Sequence, residues 1–255
     1  MHRLLRLSIA ILLTSAPVAA RADFTGPLSP GVWMSTMNMD PISETLRQKC
    51  MLPEDQPGPR QPDRCRRGNA EGGAPDAAAV ASPSLSYLPS PARRKANLAA
   101  FVDKSRAADP AAAGQLQSLF ASGDIIAKIG QGMAPVGLRV DNLADAYTVW
   151  WVNCWSAVHS DYSTPDRATA AAVKAQAARA ILAGGKIAGV PDAMKQEFAE
   201  ALLIQALLLE AALEQAKGNE AQLKAVAVAA NAGAKGMGLD LTTMKLTGQG
   251  FIAIQ

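Results

Sequence analysis

Histidine is nearly missing from this chain. The sequence holds two, and His2 falls in an N-terminal stretch with the marks of a removable leader, which leaves His159 alone. Metal sites drawing on several histidines are thereby excluded. Long apolar runs are missing too. The stretch Ala201 to Leu209 is bounded by Glu200 and Glu210, far short of the about 20 apolar residues a membrane-crossing helix needs. No G-x-S-x-G serine elbow occurs. The glycine-rich run Gly233 to Gly238 follows a helical pattern, so it reads as a helix stop rather than a phosphate cradle. Period-two alternation is absent, so strands are not supported.

What the N-terminus does hold is three zones: Arg3 and Arg6, an apolar run from Leu7 to Leu13, and the small residues of Ala20-Arg21-Ala22. This is the layout of a bacterial-type export signal covering residues 1 to about 22. No cysteine follows it, so a lipid anchor is not expected, and no transmembrane segment remains after cleavage. The product is expected in the periplasm or outside the cell. Removal of Arg3, Arg6 and Arg21 leaves 22 basic against 22 acidic residues. A nucleic-acid reader would keep a basic surface, so nucleic acid is not an expected partner. The short clusters Arg64-Arg66-Arg67 and Arg93-Arg94-Lys95 read as solvated faces.

Residues 23–91 hold eleven of the sixteen prolines. Proline removes a backbone donor and fixes φ, so stretches such as Pro53 to Pro59 suit neither a helix nor a central strand, and the segment reads as a flexible arm. Cys50 and Cys65 lie in it. Export implies an oxidising compartment, and a bridge between them would close a loop of about 15 residues, contributing roughly 3 kcal/mol. The alternative is free thiols. Met34, Met37 and Met39 form an M-x-x-M-x-M cluster beside Trp33. Thioethers are soft ligands that favour Cu(I), whereas methionine also fills irregular gaps; packing is the favoured reading.

From residue 92 to 255 the pattern is helical. Ser90-Pro91, Asp109-Pro110 and Thr164-Pro165 read as caps followed by a first-turn proline, and Asn219 with Gln222 resembles a capping box. Six elements are expected: 91–107, 110–133 with a break at Gly123, 142–160, 165–183, 191–217 and 219–235. Residues 239–255 are expected to lie along them as coil or a short extended piece. Two elements are apolar on every side: 142–160, with Tyr147, Trp150, Trp151, Cys154 and Trp155, and 191–217, with Leu202 to Ile204 and Leu207 to Leu209. Such helices must be covered on most sides. The expected architecture is all-α, an antiparallel bundle of about five to six helices with two central apolar ones.

Specific wording runs through this region: Asn97 to Val102, Ala108-Asp109-Pro110, Leu119-Phe120-Ala121, Gly132 to Leu138, and Asn142 to Tyr147 leading into Trp150-Trp151. It resembles an uncharacterised family of exported, mainly helical bacterial proteins, a domain of unknown function. The resemblance covers most of 92–255 and not the arm. It implies an exported helical domain and brings no activity and no functional residue.

Several residue groups bear on chemistry. Cys154, His159 and Asp161 are close in sequence, but positions five apart on a helix point about 140° away from each other, so a thiol–imidazole pair is not expected. Glu197 with Glu200, and Glu210 with Glu214, share helix faces beside Lys195 and Lys217 and read as a solvated stripe; a cell-wall hydrolase using Glu197 or Glu200 is the weakest alternative. The tryptophans read as core, while exposure of one beside His159 would make Trp150, Trp151, Trp155 and His159 a ligand or partner groove. No catalytic set and no cofactor motif emerges. The leading expectation is a non-enzymatic helical binding or interaction module of the cell envelope with an unidentified partner or ligand. A Cu(I)-binding exported protein is the first alternative.

Overall fold

The computed structural model describes residues 84–183, 187 and 189–254. The leader, the Met34/Met37/Met39 cluster, Cys50, Cys65 and Arg64 to Arg67 lie outside the described residues. Seven α-helices are present among them: α1 Pro91–Ala108, α2 Pro110–Ala121, α3 Ile125–Met133, α4 Leu143–His159, α5 Arg167–Ala183, α6 Asp192–Gln215 and α7 Glu220–Gly236. A hairpin follows, β1 Met244–Thr247 and β2 Gly250–Ala253, paired antiparallel with Leu246 opposite Phe251.

Most helix starts are where the cap residues place them. Ser90 accepts from the Arg93 N–H, Asp109 from Ala112, Asn142 from Ala144 and Asp145, and Asn219 from Gln222. Each satisfies a donor that has no partner inside its helix. The expected Thr164-Pro165 start is displaced: α5 begins at Arg167, and Asp166 accepts from the Thr169 N–H at 2.7 Å. A carboxylate takes that role more strongly than a hydroxyl. At the expected break, Gly123 has φ +147° and separates α2 from α3.

The bundle is all-α in character with α4 and α6 at its centre. Thirteen of the 17 residues of α4 and 15 of the 24 in α6 are buried, so both lie inside a jacket. α5 contributes only the stripe Ala170, Val173, Ala177, Ala180 and Ile181, which is how an alanine-rich outer helix approaches closely. The central pair keeps the order an antiparallel bundle requires of two helices separated by one other. Tyr87 N–H donates to the Asp141 carbonyl just ahead of α4, and Leu88 N–H donates to the Asp192 carboxylate at the start of α6. At the far end the Tyr162 hydroxyl, just past α4, donates to the Leu213 carbonyl near the end of α6. The two inner helices therefore run in the same direction, with α5 between them in sequence.

Residues 84–90 pack on the bundle ahead of its expected start at 92. Ser86 forms an antiparallel bridge with Asn142, Leu143 N–H donates to the Leu85 carbonyl, and the buried Tyr87 hydroxyl donates to the Val140 carbonyl at 2.5 Å. Burial raises the Tyr87 phenol above its ordinary range.

Within residues 239–255, expected as coil or a short extended piece, the extended part is a paired hairpin. Its inward residues, Met244, Leu246, Phe251 and Ala253, are split between two four-residue strands, and an apolar Ile252 points outward, so no period-two pattern builds up. Gly250 is buried at φ +95°, where a Cβ would collide with the Gln176 carboxamide. Gly250→Ala is therefore expected to destabilise the domain by about 1–3 kcal/mol, read as a lowered urea midpoint.

Candidate functional site

The aromatic residues of α4 form one assembly with the hairpin. The Tyr147 ring lies 5.3 Å from Trp150 and 5.9 Å from Trp151. Trp151 stacks on Phe251 of β2, with centroids 4.5 Å apart and planes 19° apart. Trp155 lies against the same ring at 6.1 Å, and its Nε1–H donates to the Met244 carbonyl at 2.9 Å. Its other side is stacked by His159 at 4.5 Å. The His159 Nδ1 is 3.0 Å from the Trp155 carbonyl oxygen, a contact in which Nδ1–H donates.

All three tryptophans are buried, Trp155 the least at 8 % exposure, while His159 is exposed. Phe251 occupies the space beside Trp151 and Trp155. The Nε1–H groups of Trp150 and Trp151 are buried and have no hydrogen-bond partner among the described residues, an uncommon and costly state for a buried donor.

The opposite edge of β2 is held by α5. Gln176 Nε2 donates to the Phe251 carbonyl at 2.8 Å, and Phe251 N–H donates to Gln176 Oε1 at 2.8 Å. One side-chain amide thus meets both backbone groups of one residue, as a neighbouring strand would. Covering an edge in this way blocks pairing with another chain.

Cys154 and His159 do not meet. Cys154 is fully buried, and burial pushes its thiol well above the usual range; the thiol form is neither a nucleophile nor a ligand. Asp161 accepts from the Ser163 N–H at 2.6 Å and shapes the turn after α4.

The glutamate stripe is corrected by the structure. Glu197 is exposed, but Glu200 is 1 % exposed. Its Oε1 accepts from Arg94 Nε and Gln196 Nε2, both at 2.9 Å, and its Oε2 from Asn97 Nδ2 at 2.7 Å. Gln196 also exchanges two hydrogen bonds with the Ser90 backbone. Arg94, expected on a solvated face, reaches on to Asp124 at 2.7 Å. The network fastens the start of α1 to α6, and three hydrogen bonds hold the Glu200 carboxylate in it.

Asp145 makes a second such tie. Fully buried at the first turn of α4, it lies 2.6 Å from Lys174 Nζ on α5 and accepts from the Arg139 N–H at 3.0 Å. Burial outweighs these partners, and its carboxyl is held above the ordinary range. A carboxyl raised in the folded state supports folding below its unfolded pKa, and that support fades as pH rises through the folded value. Asp145→Asn, which keeps the shape, is expected to gain on the wild type between pH 3.5 and pH 7, measured as the difference in urea midpoints. An increasing deficit over that range would mean that the Lys174 pair dominates.

Shallow depressions among the described residues include one beside Glu200 with Leu98, Phe101 and Ile204, one around Asp161, Tyr162 and Glu214, and one around Met133, Leu203 and Leu207. Among the described residues no cluster of three or more His, Cys, Asp or Glu can hold a metal, and no helix is long and apolar enough to cross a membrane.

A family model of unknown function, DUF6683, matches residues 1–253. The chain belongs to the DUF6683 family. The match takes in the proline-rich arm as well, so the kinship is wider than the resemblance over 92–255. DUF6683 carries no assigned activity and lends none of its members' residues a role. No curated protein matches the chain, and no solved structure does.

Proposed function

We propose that this DUF6683 protein is an exported, non-enzymatic helical binding or interaction module of the bacterial cell envelope, with residues 1–22 as its leader and the arm as a tether or docking segment. The observation that supports the non-enzymatic half is the use made of the buried carboxylates. Glu200 and Asp145 are the groups best placed for acid–base work, and both are consumed in joining helices. The three-zone leader supports export. Expression of the full chain in a bacterial host, fractionation and N-terminal sequencing test it. A processed chain beginning near Asp23 in the periplasm or medium is expected. An uncut Met1 terminus in the cytosol overturns the export reading.

A further inference from the structure

We propose that Trp151, Trp155 and Gln176 form a peptide-binding site which the C-terminal hairpin occupies in the resting protein, and that its ligand is an extended peptide carrying an aromatic side chain. This rests on the reading of the protein as a binding module and names its site.

The hairpin's contacts are those of a bound peptide. Gln176 meets the N–H and C=O of Phe251, Trp155 Nε1–H reaches a second backbone carbonyl at Met244, and the Phe251 ring stacks on Trp151. Backbone groups held by fixed partners, with one side chain seated on a ring, are the terms on which extended peptides are recognised along a sheet or groove. Most of this is independent of side-chain identity and open to any extended chain. The Trp151 Nε1–H is buried and has no hydrogen-bond partner among the described residues.

The hairpin is also the element best placed to leave. Two-stranded hairpins are marginal on their own. Its outward side carries exposed Lys245, Ile252 at 42 % and Ile254 at 52 %, so opening would part only its inner face, Met244 and Phe251, from the bundle. Leu239 and Leu241, fully buried just before it, keep the preceding segment anchored while the strands open.

Native-state hydrogen exchange on the full wild-type chain tests the opening. The Phe251, Ile252 and Ile254 amides are expected to exchange at least 100-fold faster than the buried amides of α4 and α6, with little denaturant dependence, the mark of a local opening. Exchange of the hairpin only together with α4 and α6 overturns the proposal. The probe for binding is a labelled synthetic peptide with the sequence of residues 244–253, followed by fluorescence anisotropy. Saturable binding to the wild type is expected, at least tenfold tighter in Phe251→Ala, where the resident ring is gone, and lost when the phenylalanine of the probe is replaced by alanine. No binding to either protein at 1 mM, or equal binding of the alanine probe, overturns it. A hairpin that opens only globally removes this site and leaves the export test above untouched, so the two failures are distinguishable.

Discussion

Arg94→Ala is expected to destabilise the protein by about 3–5 kcal/mol, the usual effect of removing one partner of a buried ion pair. The size follows from which partner stays behind. Glu200 is 1 % exposed, and without Arg94 its charge is left with two neutral donors, Asn97 and Gln196. Arg94 is 19 % exposed and retains Asp124 when Glu200 is changed. Glu200→Gln is therefore expected to be the milder change, about 1–2 kcal/mol, although it removes the same salt bridge. A double replacement, Arg94→Met with Glu200→Leu, is expected to recover most of the Arg94→Ala loss, because two apolar groups leave no stranded charge. Urea unfolding of the wild type and the three variants, followed by circular dichroism, measures these differences. A loss below about 1 kcal/mol in Arg94→Ala would place the pair with exposed surface bridges and remove it as the fastening of α1 to α6.

The same network shows where sequence reasoning runs out. Glu197, Glu200 and Lys195 at helix spacing look like a solvated stripe, because local sequence cannot display a partner 106 positions away. Arg94 in turn looks like part of a basic run. Only the fold brings the two together. Features that depend on neighbours in sequence were legible. The all-round apolar character of α4 and α6 marked the two inner helices, and Ser90, Asp109 and Asn219 marked helix starts, because a cap acts within three residues. The shared direction of α4 and α6 follows from the antiparallel order, since α5 alone separates them in sequence. The tryptophan cluster was visible on α4, whereas its occupant was not. Phe251 is a lone aromatic in a tail whose strands are too short to show alternation, and Gln176 is one polar residue in an alanine-rich helix. The candidate site thus had one wall written in a local pattern and the other in two isolated residues that only tertiary structure connects.

Trp150 and Trp155 are expected to rank against their burial when each is replaced by phenylalanine. Trp150 is fully buried and Trp155 is 8 % exposed, so lost contact area alone makes Trp150 the more damaging site. Trp150→Ala follows that rule, with an expected loss of about 3–5 kcal/mol from the cavity at the centre of the bundle. Phenylalanine changes the balance, because it keeps a ring and deletes the indole N–H. At position 150 that N–H is buried without a partner, a state that itself costs about 1–3 kcal/mol. Its removal offsets the smaller ring, and Trp150→Phe is expected to lose no more than about 1 kcal/mol. At position 155 the N–H holds the Met244 carbonyl at the edge of the hairpin. Trp155→Phe gives up that bond and leaves the carbonyl without its donor, an expected loss of about 1–3 kcal/mol concentrated in the hairpin amides. Chemical denaturation read by circular dichroism ranks the variants without relying on the tryptophans themselves. A loss above about 2 kcal/mol in Trp150→Phe would mean that its indole has a partner, an ordered water at the α4 core being the simplest.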